Sequence, residues 1–164
     1  MSEIDPSLPE VVRRFLASGA KVEEIRLDAE GRWWHEGEPF VNERLGRLFS
    51  RSVGRTEGGT WVLTIGSYTY PCVVEDVGFF VERLRVEGEG GDERVWLVLS
   101  DEREELLDPA TLRYRADDRL VCAVKGGRFE AKLARGPHHS LLDRAESRGD
   151  AVGLEVMGVF VPLG

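Results

Sequence analysis

Three consecutive side chains that could bind a ligand, Trp33, Trp34 and His35, lie in the stretch LDAEGRWWHEGEPF between two glycine turns. An indole can stack on a flat ring, and an imidazole can exchange hydrogen bonds near neutral pH. In a strand, Trp33 and His35 share one face and Trp34 takes the other. Two interpretations stay open. Either one tryptophan is core and the other covers a domain interface, or His35 and one tryptophan line a pocket between two halves.

Two adjacent carboxylates, Glu75 and Asp76, lie in the apolar stretch VVEDVGFF. Neighbouring strand residues face opposite ways, so these two form a catalytic acid–base pair only if a bulge intervenes. The structural interpretation is that one of them caps backbone N–H groups or pairs with an arginine. The functional interpretation is that one of them contacts a ligand hydroxyl or amine.

The stretch VKGGRFEAKLAR contains four cationic residues, of which Lys125, Arg128 and Arg135 are the candidate ligand residues. Its apolar residues alternate as in a hairpin strand, so Arg135 is expected on their inward face. An arginine at such a position usually meets a carboxylate or an anionic ligand. This hairpin is therefore the best phosphate-binding position that the sequence offers.

Metal-binding and nucleophile signatures are weak. Zinc sites need three or four ligands at short, regular spacings, and His35, His138, His139, Cys72 and Cys122 show neither Cys-x-x-Cys nor His-x-x-x-His. We predict no metal and no cofactor. Both cysteines lie in apolar, strand-like runs, which is typical of buried thiols in a reducing compartment. Because the N-terminal residues also lack the pattern of a signal peptide, we predict a cytoplasmic protein.

The charge balance limits the classes of partner. The formal net charge is −8, which argues against an extended nucleic acid or an anionic membrane as the partner. No apolar run reaches 18 residues, so we predict no membrane span. A local basic site for one small anion is compatible with this balance.

The elements that must hold these residues are short and mixed. Helices are predicted at SLPEVVRRFLAS, NERLGRLFSRSV and PHHSLLDRAESR, with strands between them. For the first helix, Ser7 is the expected N-cap and Glu10 completes the capping-box spacing. The last 14 residues, AVGLEVMGVFVPLG, are predicted as one strand. The buried face of the first helix is predicted to contain Leu8, Val11, Val12, Phe15 and Leu16.

The connector EGEGGDE divides the chain into two halves of similar pattern. We predict an N-terminal helix at 1–22, an α+β half at 23–90 and a second α+β half at 91–164. The spacing from Gly31 to Leu45 equals that from Gly127 to Leu141, and both stretches run strand, helix, strand. This weak repeat indicates an internal duplication of antiparallel strands, each half with a packed helix.

The motifs DAEGRWWHEGEPF, LGRLFSR, WVLT and VEDVGFF, in this order, resemble the bacterial domain of unknown function family 1285 (DUF1285). FEAKLAR and HHSLL extend the resemblance through the second half, so that it covers about residues 25–164. This chain differs from the family pattern at three places. It has Ile65-Gly66 where the family has Thr-Pro, Gly78 where the family has proline, and His139 where the family has tyrosine.

The resemblance implies an α+β fold with an internal duplication and a C-terminal half loosely similar to pleckstrin-homology folds. It implies no established activity. It also suggests a nucleotide-like ligand at the interface of the two halves and a role in signalling. His139 joins the candidate ligand residues because it stands at the family's tyrosine position.

Three functions follow in order of preference. The first is a non-enzymatic, regulatory module that binds a small, nucleotide-like ligand. The second is an enzyme that uses His35 with Glu75 or Asp76 as acid and base. The third is an adaptor whose exposed aromatic residues dock a partner protein. The candidate ligand residues are Trp33, Trp34, His35, Glu75, Asp76, Lys125, Arg128, Arg135 and His139.

Overall fold

The computed structural model describes residues 4–19 and 23–164, and it confirms an α+β protein. The chain forms two compact units, Met1–Gly78 and Phe79–Gly164. In the described residues, no helix is both long and apolar enough to cross a membrane. The α-helices are α1 at Glu10–Ala17, α2 at Glu43–Ser52 and α3 at Arg135–Leu142.

The first unit contains a four-stranded sheet of order β3-β2-β1-β7 and a three-stranded meander of order β4-β5-β6. Strands β1 and β2 are antiparallel, and β7 joins β1 in parallel. The strands are β1 at Ile25–Leu27, β2 at Trp33–His35, β3 at Glu38–Pro39, β4 at Val53–Arg55, β5 at Trp61–Ile65, β6 at Tyr68–Pro71 and β7 at Val73–Val74.

Strands β1 and β2 form a hairpin, with Leu27 opposite Trp33 and Arg26 opposite Trp34. Its turn forms because the Asp28 carboxylate accepts the backbone N–H groups of Glu30 and Arg32, each at 2.9 Å. An aspartate that bonds the backbone ahead of it fixes a turn locally. The sequence D-A-E-G therefore sets the register that puts the two tryptophans on opposite faces.

Helix α2 begins as predicted, because the Asn42 side chain accepts the N–H groups of Arg44 and Leu45 at 3.0 and 3.3 Å. Phe49 is its buried residue. The helix ends at Ser52, and Val53 already belongs to strand β4. The helix therefore covers the core through Phe49.

The predicted start of the first helix is wrong. The Ser7 hydroxyl does not cap α1; it donates to Asp5 at 2.5 Å and accepts the Gly58 N–H at 2.9 Å. Pro9 takes the N-cap position instead. The predicted apolar face is only partly covered, since Leu8 is buried but Val11 and Phe15 are 78% and 45% exposed.

The second unit contains a six-stranded sheet of order β10-β9-β8-β13-β12-β11 and a three-stranded meander of order β14-β15-β16. All pairs are antiparallel except β8 with β13. The strands are β8 at Phe79–Glu87, β9 at Arg94–Leu99, β10 at Glu104–Leu106, β11 at Arg113–Tyr114, β12 at Leu120–Val124, β13 at Phe129–Leu133, β14 at Glu146–Arg148, β15 at Ala151–Val156 and β16 at Val159–Pro162.

Two element predictions for this unit are wrong. The final strand is a hairpin, because Met157 and Gly158 take positive φ angles of 53° and 78° and turn the chain between β15 and β16. The third helix ends at Leu142, so Ala145, which lies within the predicted helix PHHSLLDRAESR, follows the helix and is exposed. A methionine–glycine pair carries a weaker hairpin signal than asparagine–glycine, which explains the missed turn.

The division between the units falls at Gly78/Phe79, whereas the sequence predicts it at residues 90/91. Strand β8 lies between the two positions. It belongs to the second unit because it pairs along most of its length with β9 and also with β13. Turn composition marks a flexible connector, but strand pairing decides which unit a strand joins.

Candidate functional site

An open groove of about 400 Å³ lies in the first unit on the Trp34 face of the β1–β2 hairpin. We call it the acidic groove. It is lined by Glu24, Arg26, Asp28, Trp34, Gly37 and Glu75. Arg26 and Trp34 face it together because they are directly opposed across β1 and β2. Three carboxylates and one guanidinium make its lining net negative.

Arg26 connects two of these carboxylates. Its Nη2 lies 2.9 Å from Glu24 Oε1, and its Nη1 lies 3.1 Å from Glu75 Oε1. The hydrogen bond to Glu75 and the charge of Glu24 raise the pKa of Arg26. The second Glu75 oxygen accepts the Ala29 N–H at 3.2 Å. Glu75 thus makes both contacts that the structural interpretation predicts, a backbone cap and an arginine pair.

Asp28 positions the indole of Trp34 by a hydrogen bond. Trp34 Nε1 donates to Asp28 Oδ2 at 2.9 Å, and the other Asp28 oxygen holds the hairpin turn. Burial opposes ionisation of Asp28, but the Arg32 amide, the Trp34 indole and the Glu30 amide together lower its pKa. The carboxylate stays charged near neutral pH and fixes the ring plane that faces the groove.

Trp33 lies on the opposite face and belongs to the core. It is 5% exposed, and its Nε1 donates to Ser50 Oγ at 2.9 Å. Its ring meets Phe49 edge-on at a centroid distance of 5.6 Å. These contacts attach the hairpin to α2, so the structure identifies Trp33 as the core tryptophan of the pair.

His35 is half-buried and lines a second, largely apolar groove of about 270 Å³. Its Nε2 lies 2.9 Å from Glu23 Oε2, and its ring lies 6.2 Å from that of Phe40. Glu75 lines the acidic groove instead. The arrangement gives no support to a His35–Glu75 acid–base pair. Asp76 is half-buried in the bend that follows β7.

The cationic candidates of the second unit have separate surroundings. Lys125 is half-buried, bonds Asp101 and lies 5.4 Å from the Phe79 ring centroid. Arg128 is exposed, with its guanidinium 5.4 Å from the Phe129 ring centroid. The structure therefore holds Lys125 in an ion pair within this unit.

The prediction that Arg135 lies on a strand face is wrong. Strand β13 ends at Leu133, and Arg135 is the exposed first residue of α3. His139 is exposed on the same helix, and its ring lies 5.2 Å from that of His138. His138 itself is buried, and its Nδ1 accepts the Leu120 N–H at 3.2 Å.

Sequence reasoning missed most of the groove's polar lining, because it followed only the tryptophans, His35 and the Glu75-Asp76 pair. Glu24, Arg26 and Asp28 belong to β1 and the residues beside it. The alternation of Arg26 with the apolar Ile25 and Leu27 could have signalled an arginine on the outer face of a strand. Asp28 carried a signal too, as the first residue of a D-x-x-G turn.

Solved structures with a similar fold come from two bacteria. The crystal structure of a DUF1285 family protein from Silicibacter pomeroyi DSS-3 has a TM-score of 0.67 and 21% identity, covering 87% of this chain and 80% of that chain. A second, from Shewanella baltica OS155, has a TM-score of 0.55 and 16% identity, covering 76% of this chain and 94% of that chain. The chain resembles DUF1285 proteins in fold.

This likeness to DUF1285 proteins confirms the resemblance predicted from the motifs. At 21% and 16% identity, the likeness is one of fold. No family model matches the sequence, and no curated protein matches it. A function must therefore be argued from the groove itself.

Proposed function

We propose that the protein is a non-enzymatic module that binds a small ligand in the acidic groove of the first unit. The observation that carries the proposal is the Trp34 ring, positioned by Asp28 and surrounded by the carboxylates of Glu24 and Glu75. The groove volume of about 400 Å³ falls within the range of small-molecule sites.

The charge of the lining selects the ligand chemistry. A flat ring can stack on Trp34, and the carboxylates can accept hydrogen bonds from its amino or N–H groups. A phosphate would meet three like charges in the lining, whose one arginine is already paired with Glu24 and Glu75. Arg32, outside the lining, is itself paired with Asp28 at 3.6 Å. The nucleotide-like ligand predicted from the resemblance is thus narrowed to a neutral or cationic base or nucleoside. Its binding without turnover would serve a regulatory or signalling role.

The two other predicted functions draw on different features. The enzyme would need His35 beside Glu75 or Asp76, but His35 Nε2 contacts the exposed Glu23, and Glu75 lines the other groove. The adaptor is favoured by exposed apolar side chains on α1 and beside α2, among them Val11 and Val41. A ligand in the acidic groove does not exclude an interface on those residues.

Matched pairs of each nucleoside and its 5′-monophosphate would test the proposal in a thermal-shift and calorimetry series. We expect a nucleoside at about 100 times its dissociation constant to raise the melting temperature by roughly 5–10 °C. Its monophosphate at the same concentration should raise the melting temperature less. Trp34→Leu should abolish the effect, and Trp34→Phe should retain part of it. His35→Gln is the matched control, because His35 lines the other groove.

Either of two results would contradict the proposal. One is tighter binding of the monophosphates, which the net negative lining of the acidic groove would not allow. The other is binding that survives Trp34→Leu in a folded protein. Trp34 is a better probe than Glu75, whose removal also breaks the contacts to Arg26 and Ala29.

We also propose that the two units arose by internal duplication. Each contains a two-stranded hairpin, then a helix, then a three-stranded meander: β1–β2, α2 and β4–β6 in one, and β12–β13, α3 and β14–β16 in the other. We propose in addition that the second unit is loosely similar to pleckstrin-homology folds. A crystal structure in which the two sets fail to superpose would refute the duplication.

A cytoplasmic location is part of the same proposal. Cys72 and Cys122 are free thiols, and burial raises the pKa of each to about 12. Such thiols are inert packing groups, which suits a reducing compartment. Fractionation of cells that express the tagged chain would test the location.

A further inference from the structure

Helix α1 exposes an apolar stripe, which we define as Val11 and Phe15. Val11 is 78% exposed and Phe15 is 45% exposed, and no residue of α1 is buried. The two side chains are four residues apart and therefore lie on the same side of the helix. Leu8, just before the helix, is buried. The residue before it contacts the same unit, since the Ser7 hydroxyl accepts the Gly58 N–H. The stripe is thus presented on a fixed element.

A second apolar surface lies at the start of α2, in the groove of about 270 Å³ that His35 borders. We call it the apolar groove. Val41 is 97% exposed and Leu45 is 38% exposed. Phe40 also lines the groove, and the centroid of its ring lies 5.1 Å from that of Phe49. The remaining lining residues are Glu38, Pro39 and Asn42. No residue of α1 lines it, so the chain's own stripe does not fill it.

We propose that the stripe of one copy binds in the apolar groove of a second copy, and reciprocally, to form a two-fold dimer. The proposal goes beyond ligand binding and does not depend on it, because Trp34 and His35 face opposite sides of β2. Residues spaced i and i+4 on an amphipathic helix are the usual anchors in a hydrophobic groove.

Two features favour a second copy over an unrelated partner. First, both complementary surfaces are on one chain, so a two-fold axis forms the contact between stripe and groove twice and leaves neither surface uncovered. Second, the charges beside them are opposite. Arg14 lies three residues after Val11, on the border of the stripe, and Glu38 is exposed on the border of the groove.

Arg14 can exchange its present partner at little cost. It pairs with Glu10 at 2.6 Å, but the two side chains are 78% and 65% exposed, so the pair is solvated. A chain of net charge −8 repels its own copies at long range. Local pairing of Arg14 with Glu38 would therefore set the orientation of the dimer as well as its strength.

Sedimentation equilibrium over a concentration series of the full chain would test the proposal. We expect the wild type to dimerise, and Val11→Glu and Val41→Asp each to weaken the dimer at least about tenfold. Both positions are mostly exposed, so the folded monomer should survive, which circular dichroism would verify. Val152→Glu is the control, since Val152 is 51% exposed on β15 and belongs to neither surface.

A charge exchange separates this contact from a general loss of solubility. Arg14→Glu and Glu38→Arg should each weaken the dimer, and the double variant should restore it. Mixed Val11→Cys and Val41→Cys chains should also form a crosslinked heterodimer, whereas Val11→Cys with Val152→Cys should not.

The proposal is overturned if the wild type stays monomeric at every concentration, which would leave the groove to a helix of another protein. It is also overturned by a dimer that is insensitive to both Val11→Glu and Val41→Asp. Neither result would affect nucleoside binding to the Trp34 face, so the two proposals fail separately.

Discussion

Replacing each tryptophan of β2 by alanine separates the two roles that the structure gives to neighbouring residues. Trp33 is 5% exposed and packs on Phe49, whereas Trp34 is half-buried and faces an open groove. Truncation of a buried tryptophan to alanine costs about 3–5 kcal/mol. Trp33→Ala also removes the donor to Ser50 Oγ. For Trp34→Ala we expect a smaller loss of about 1–2 kcal/mol, because Trp34 is only half-buried and part of its surface is already in contact with water.

The free energy of unfolding of a domain is about 5–15 kcal/mol, so Trp33→Ala should remove a large part of it. The melting temperature should fall by roughly 6–20 °C for Trp33→Ala and by a few degrees for Trp34→Ala. Urea unfolding followed by far-ultraviolet circular dichroism is the appropriate assay, because each variant lacks one of the chain's four tryptophans and therefore has a different fluorescence signal. If the two units unfold separately, only the transition of the first unit should move.

A double-mutant cycle sharpens the same prediction. Trp33→Phe keeps most of the apolar contact with Phe49 but loses the indole N–H, and Ser50→Ala removes the acceptor. The two changes together should cost less than the sum of the single changes, with a coupling free energy of about 1 kcal/mol. Equal losses for Trp33→Ala and Trp34→Ala, or strict additivity in this cycle, would show that the hairpin packs differently.

Two further predictions concern His138 and Gly78. Burial, followed by the nearby positive charges, lowers the pKa of His138, whose ring accepts a β12 amide. Because the unfolded side chain takes a proton near pH 6.5, stability should fall as pH drops below about 6.5, by at most about 1.4 kcal/mol per pH unit. His138→Gln should flatten this slope in pH-dependent urea melts, and His139→Gln should flatten it less, because the charge of His139 is only one of the causes that lower the His138 pKa. At Gly78, an added methyl would lie 2.4 Å from Trp61 Cζ3, so Gly78→Ala should destabilise by about 1–3 kcal/mol. Gly54→Ala, with no atom within 4 Å of the added methyl, should be neutral or stabilising in the same urea assay.

The parts of the fold that were predictable depend on local rules. The β1–β2 hairpin and the start of α2 follow from Asp28 and Asn42, whose side chains bond the backbone within a few residues. The same local rule failed at Ser7. Its hydroxyl is used by Asp5 and the Gly58 amide, and Asp5 also bonds Thr60 at 2.6 Å. A contact across some fifty residues outweighed a cap, and single-sequence patterns contain no information on such contacts.

The candidate site shows the same limit. Strand alternation correctly separated Trp33 from Trp34, because alternation is a property of one strand. Helix α2 decides which of the two faces is buried in the core, because Ser50 accepts the indole N–H of Trp33 and Phe49 packs against its ring. The assembly of the acidic groove depends further on β7, whose parallel pairing with β1 brings Glu75 to Arg26. Parallel pairing joins distant segments and leaves no turn signal in the sequence.

Glu93 shows how little a residue's type reveals about its role. It lies in the connector EGEGGDE, which by composition is a flexible turn, yet it is 8% exposed. Its two carboxylate oxygens accept both Arg144 Nη groups at 2.9 Å, and one of them also accepts the Met157 N–H at 2.9 Å. The hydrogen bonds to Arg144 lower the pKa of Glu93, although burial alone would raise it. A bidentate pair of this kind stabilises one geometry strongly. The acid therefore joins the start of β9 to the β15–β16 turn of the second unit. Glu93, which belongs by composition to a turn, is thus structural, while Glu24 and Asp28 face the groove where we propose that the ligand binds.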